Sequence, residues 1–171
     1  MDTELYQLAE QVAARLEETG NWLGTAESCT GGWVAKSMTD VPGSSHWFDR
    51  GFVVYNAQAK QQMLGVSAAT IEANGEVSEA VVRELAEGVL ARSNASISLS
   101  ISGIAGPGGG CAEKPVGTVW LAWSYADKVA GVVRGVKTVS ETQCFAGDRE
   151  AVRRQAVIHS LQGVLAILNE A

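Results

Sequence analysis

Thr25 to Trp33 reads "TAESCTGGW", and Glu27, Ser28, Cys29 and Thr30 stand side by side in it ahead of two glycines. A turn that only joins a strand to a helix needs one cap residue and one flexible residue. This one carries a carboxylate, two hydroxyls and a thiol. A serine placed between a strand and a helix start lies among backbone N–H groups with no helical partner, where negative charge is favoured. The amides of Cys29, Thr30, Gly31 and Gly32 are therefore the expected oxyanion donors for attack by Ser28. The likeness to a GxSxG elbow is loose, because the flanking glycines of that motif are not supplied here. Ser28 or Thr30 serving as a plain helix cap fits the local sequence equally well.

A serine nucleophile needs a proton acceptor. The chain has two histidines: His46 lies in the loop "GSSHWF" and His159 near the apolar side of the last helix, and both read as structural. Lys60, closing "YNAQAK", follows the next strand, so a parallel sheet brings it to the same edge as Ser28. Lysine in water keeps its proton to about pH 10.4, so a lysine base needs desolvation or a neighbouring cation. An ordinary surface lysine on a short helix is the competing reading. Cys29, without a histidine partner, reads as a packed thiol.

A second candidate is "GIAGPGGG", residues 103–110, a glycine-rich loop after a strand. Gly103, Ala105, Gly106, Gly108 and Gly109 allow close backbone approach to a phosphate or flat ring. The loop matches neither a Walker loop nor GxGxxG opening a helix, and a flexible turn is the alternative. Arg149 stands in the first turn of the last helix, where it can reach a single phosphate. Arg149, Arg153 and Arg154 together read as a solvated helix face.

The elements that must hold these residues follow from periodicity. Leu5, Leu8, Val12 and Leu16 predict an amphipathic helix over 3–19, with Gly20 as its C-cap. Residues 22–26 form a short strand, and a helix then runs from Trp33 to the Asp40, Pro42 and Gly43 stop. "GFVVY", 51–55, reads as a strand, "NAQAKQQML" and "SAATIEANG" as short helices, and Ser78 caps a long helix with Val77 stapled onto Val82. Residues 96–102 alternate as a strand. Strands over 116–124 and 130–139 form a hairpin around a polar turn at Asp127 and Lys128. Asp148 caps a last helix whose apolar face carries Val152, Ala156, Val164 and Ile167. Helices alternating with strands predict a single-domain α/β protein, residues 1–171, built as a three-layer α/β/α sandwich with a mixed sheet.

Composition narrows the partners. The 171 residues are 46% hydrophobic and 19% charged, the range of a globular domain, with no apolar run long enough for a membrane span. A formal net charge of −6 disfavours nucleic acid, whose phosphates demand a basic surface. Three cysteines without CxxC spacing argue against a disulfide framework and a zinc site. The acidic, helix-periodic N-terminus lacks the pattern of an export signal, so the cytoplasm is the expected compartment. Trp33, Trp47 and Trp123, if on the surface, leave room for a homodimer.

Four stretches taken together carry a family resemblance: "TAESCTGGWVAKSMTDVPGSSHWFDRGFVVY", "GEVSEAVV", "SISGIAGPGGG…EKPVGTVW" and "FAGDREAVRRQA". In this order they resemble the C-terminal domain of the competence/damage-inducible protein CinA, a domain also found alone as a nicotinamide-nucleotide amidase. The resemblance implies hydrolysis of the carboxamide of nicotinamide mononucleotide to nicotinate mononucleotide and ammonia, without metal or cofactor, in pyridine nucleotide recycling. It also implies Ser28 as nucleophile, supported by Tyr55 and Lys60 of the Y-x4-K segment. One departure is visible: Tyr55-Asn56-Ala57 stands where the family commonly reads Tyr-Ser-Asn. A non-catalytic pyridine-nucleotide-binding module and an amidase for another small carboxamide are the alternative readings. The large N-terminal domain that CinA proteins carry has no counterpart in these stretches, so an activity housed there is not expected.

Overall fold

The computed structural model describes residues 2–129 and 131–170. Five strands form one mixed sheet in the order β2-β1-β3-β4-β5. They are β1 (Leu23–Glu27), β2 (Phe48–Val53), β3 (Ile97–Gly103), β4 (Thr118–Val129) and β5 (Val132–Cys144). β1 pairs in parallel with both β2 and β3, whereas β3–β4 and β4–β5 are antiparallel. Six helices cover the sheet: α1 (Thr3–Thr19), α2 (Trp33–Thr39), α3 (Ala57–Leu64), α4 (Ala68–Asn74), α5 (Glu79–Ala91) and α6 (Arg149–Glu170).

The alternating chain explains the layers. One core packs α1, α2 and α6 on one face, with Leu5, Leu16, Met38, Leu161 and Val164 against Leu23, Leu99 and Leu121. On the other face Leu64 of α3 and Val81, Leu85 and Val89 of α5 meet Ala26 of β1. The fold is the expected single-domain α/β arrangement with a mixed sheet.

Caps appear where the sequence puts them. Asp2 accepts from Leu5 N and starts α1, Ser78 accepts from Val81 N and starts α5, and Asp148 accepts from Ala151 N and starts α6. Gly20 ends α1 in the left-handed region, at φ 65°.

Three expectations are corrected. The strand expected over 51–55 is β2 at Phe48–Val53, three positions earlier at its start. β2 is a sheet edge and carries Asp49 and Arg50, so its apolar signal is weak. Val54, fully buried just after the strand ends, drew the reading forward. The polar pair Asp127 and Lys128 marks a register irregularity within β4 rather than the hairpin turn, and the strands run on to Val129 and Val132. Ala130, expected to begin the second hairpin strand, lies outside the described residues. Finally, Trp47 and Trp123 are core residues, 3% and 4% exposed, and Trp123 donates its indole N–H to Ser160 O. Of the three tryptophans only Trp33 is partly exposed, so they form no apolar surface for a second copy.

Candidate active site

Parallel pairing of β1 with β2 and β3 brings their carboxyl ends to one edge, where α/β sheets build their sites. Ser28 leaves β1, Val54 and Tyr55 leave β2, and Ser102 and Gly103 end β3. Ser28, Tyr55, Ser102 and Gly103, together with Cys29, Lys60, Glu76, Val77, Ala105 and Arg149, line a cleft of about 180 Å³. A larger hollow of about 440 Å³ lies at the other end of β3, around Asn21, Ile97 and Tyr125. Among the described residues its serine, Ser96, donates to Asn21 Oδ1 at 2.7 Å rather than to a base, so the smaller cleft is the chemical candidate.

Asn56 Oδ1 accepts from Ala59 N at 2.8 Å and starts α3, whose first turn carries Lys60 inward. The amide that departs from the family pattern is thus the cap of the lysine's helix. Lys60 is 1% exposed. Its Nζ lies 3.2 Å from Ser28 Oγ, 3.0 Å from Val54 O, 3.3 Å from Tyr55 O and 3.2 Å from Glu76 Oε1. Ser28 Oγ donates to Tyr55 O at 3.3 Å. Serine and lysine therefore meet as the sheet geometry requires. The connection leaving β2 early allows this, because the Tyr55 carbonyl is no longer tied into the sheet.

Tyr55 is placed differently from a proton relay. Its phenol is 58% exposed and accepts from Arg149 at 3.0 Å, while its carbonyl, not its hydroxyl, faces Ser28 and Lys60.

The oxyanion donors are fewer than expected. Glu27, 1% exposed, accepts from Thr30 Oγ1 at 2.7 Å and from the amides of Gly32, Val34 and Ala35 at 3.1, 3.0 and 2.9 Å. Its carboxylate thereby fills the N-terminus of α2. Gly31 N is also taken, by Ser28 O at 3.1 Å. Among the described residues the amides of Cys29 and Thr30 have no acceptor, but Thr30 is wholly buried and off the cleft wall, whereas Cys29 lines it. Cys29 is no rival nucleophile, since burial pushes its thiol up to about 11 and the nearby Arg153 and Lys60 do not offset that.

The glycine-rich loop divides. Gly103 and Ala105 line the cleft, and the Gly106 carbonyl accepts from Arg149 at 2.8 Å. Gly108 and Gly109 are exposed and lie off the wall. The three arginines are not a solvated face. Arg149 joins Gly106 to Tyr55, Arg153 donates to the carbonyls of Cys29 and Thr30 and stacks over Trp33, and Arg154 binds Asp2 and Glu4. Neither histidine lines the cleft: His46 is exposed and His159 pairs with Glu141.

Sequence reasoning missed Glu76 and Arg153. The signal for Glu76 was its place next to the α5 cap within "GEVSEAVV". Arg153 stands in a run with Arg149 and Arg154, and nothing local distinguished it from them. Among the described residues no three His, Cys, Asp or Glu side chains converge on a point, and no helix is long and apolar enough to cross a membrane.

Comparison with known proteins adds the relatives. The sequence model of the CinA C-terminal domain matches residues 5–168. The chain is 54% identical over 161 residues to the nicotinamide-nucleotide amidohydrolase PncC of Escherichia coli strain K12, spanning 94% of this chain and 93% of that one. It is 50% identical over 164 residues to the protein of the same name from Enterobacter agglomerans, spanning 96% and 95%. A crystal structure of a competence/damage inducible protein from Agrobacterium tumefaciens superposes with a TM-score of 0.89 at 37% identity, covering 99% of this chain and 98% of that one.

Proposed function

This chain belongs to the CinA C-terminal domain family, and from that premise we propose that it is a nicotinamide-nucleotide amidohydrolase. It converts nicotinamide mononucleotide to nicotinate mononucleotide and ammonia in the cytoplasm as a pyridine nucleotide recycling step. The three cysteines, all free, suit a reducing compartment. The observation that carries the reaction is the 3.2 Å approach of Lys60 Nζ to Ser28 Oγ on the wall of a cleft.

Lys60 in its neutral form takes the Ser28 proton while Oγ attacks the carboxamide carbon. For this the Ser28 O–H turns from Tyr55 O toward Nζ, and the two N–H bonds of the amine stay on the Val54 and Tyr55 carbonyls. The amide of Cys29, which lines the cleft, holds the developing oxyanion. Collapse breaks the C–N bond, and Lys60 returns its proton to the leaving nitrogen, which departs as ammonia. Water, deprotonated by the same amine, then hydrolyses the Ser28 ester and frees the carboxylate. A cleft of about 180 Å³ is below the usual range for an entire ligand. It takes the carboxamide and ring, and the ribose phosphate lies across the rim. There Arg149, which uses two of its five N–H donors on Gly106 and Tyr55, retains donors for the phosphate.

The test is ammonia release from nicotinamide mononucleotide by the purified protein beside Ser28→Ala. Wild-type turnover is expected, with a loss of at least about a thousandfold in the variant and no change in melting temperature. Residual activity in Ser28→Ala near that of the wild type sinks the serine mechanism. Binding without ammonia release from the wild type leaves a binding module in its place.

A further inference from the structure

Lys60 has an anionic neighbour that the mechanism above does not use. Glu76, on the turn between α4 and α5, holds Oε1 3.2 Å from Lys60 Nζ. The carboxylate is not required to orient the amine, because the Val54 and Tyr55 carbonyls already fix two N–H directions. Activation of Ser28 alone gives it no part. A charged group at a site that the reaction itself does not use points to a ligand.

The rest of the cleft says what kind of ligand. The Glu76 side chain is 43% exposed, and its Oε2 makes no hydrogen bond among the described residues. Tyr55 lines the same cleft, is 58% exposed and accepts from Arg149 through its hydroxyl. An anion and an aromatic residue lining one small cleft suit a flat cation. The nicotinamide ring of an oxidised nucleotide is such a cation, quaternised at the ring nitrogen that bears the ribose. The reduced dihydropyridine nucleotide carries the same carboxamide, ribose and phosphate with an uncharged ring.

We propose that Glu76 is the counter-ion of the pyridinium ring and the residue that selects the oxidised substrate, an inference that rests on the amidase reading above. Before substrate arrives the carboxylate belongs to Lys60 alone. Once the ring is bound, the carboxylate is shared between two cations, Lys60 through Oε1 and the ring through the free Oε2.

The experiment compares oxidised and reduced nicotinamide mononucleotide in wild type and Glu76→Gln. It reads kcat/KM by ammonia release, and the dissociation constant by calorimetry in the Ser28→Ala background with and without Glu76→Gln. The expected result is that Glu76→Gln cuts the preference for the oxidised form at least about tenfold in both readouts, a loss of about 1.4 kcal/mol of discrimination. Reduced-form binding should stay within about twofold. Comparing the two proteins cancels the intrinsic difference in reactivity of the two amides. An equal loss for both forms would make Glu76 a positioning residue for Lys60 and overturn the inference. If the wild type releases no ammonia, the amidase reading fails on its own. The binding arm still decides in that case, since equal affinity for both forms with Glu76 in place overturns the counter-ion role.

Discussion

Glu27 and Ser28 are adjacent in sequence and are asked for different things. Ser28 must present an oxygen to the cleft, and Glu27 must bind the turn that lets it do so. The Glu27 carboxylate accepts four hydrogen bonds from the turn and the start of α2 while almost wholly buried. Glu27→Gln would set an amide NH2 against some of those donors and leave buried N–H groups unpaired, at about 1–3 kcal/mol. The expected outcome is a lower midpoint in urea together with reduced turnover, in contrast to Ser28→Ala, which should lose turnover alone. A Glu27→Gln protein as stable as the wild type would remove Glu27 from this role. Of the four chemical side chains in the opening motif, the sequence could rank Ser28 but not Glu27. The choice between acid catalyst and cap depends on which way the backbone amides of residues 32, 34 and 35 point, and that is a tertiary fact. Lys60 was legible because a parallel sheet forces successive strand ends together, whereas Glu76 reaches the same cleft from an interhelical turn that no periodicity marks.

At the scale of elements, the position of Lys60 depends on how α3 rests on α5. Gly88 makes that contact possible, since a Cβ there would stand 2.4 Å from the Leu64 carbonyl oxygen and 3.1 Å from Leu64 Cβ. Leu64 ends α3, one turn after Lys60. Alanine is the better helix former by about 1 kcal/mol, yet here it meets backbone that has to move. Gly88→Ala is therefore expected to destabilise by about 1–3 kcal/mol and to reduce turnover as α3 shifts. Melting at or above the wild-type temperature would show that α3 yields freely. The long amphipathic helices α1 and α5 and the alternating strand β3 were legible because burial of one face writes a period into the sequence. β2 was displaced because it is an edge strand that carries the charged pair Asp49 and Arg50, which weakens its apolar signal. The hairpin turn was misplaced because β5 is exposed over most of its length, so polarity there does not separate turn from strand.

Across the whole molecule, α6 ties the chain's beginning to its site. Its first turns send Arg149 to the cleft, Arg153 to the carbonyls of the Ser28 turn and Arg154 to Asp2 and Glu4 at the start of α1. Asp2 has two duties there, capping α1 through Leu5 N and pairing with Arg154 at 3.0 Å. The hydrogen bond from Arg154 is the main cause that holds the Asp2 carboxyl at about 2, below its ordinary 3.8, with burial opposing and the Leu5 amide assisting. A carboxyl with a depressed folded value stabilises the fold above its unfolded value. That contribution is lost as pH falls from about 4 toward 2. Asp2→Asn keeps a capping oxygen and removes the charge, so it isolates the ion pair from the cap. The stability difference between wild type and Asp2→Asn, read from urea unfolding, should be constant above about pH 5 and close progressively between about pH 4 and pH 2. A difference that persists unchanged at the acid end would mean that the shape of the side chain, rather than its charge, joins α1 to α6.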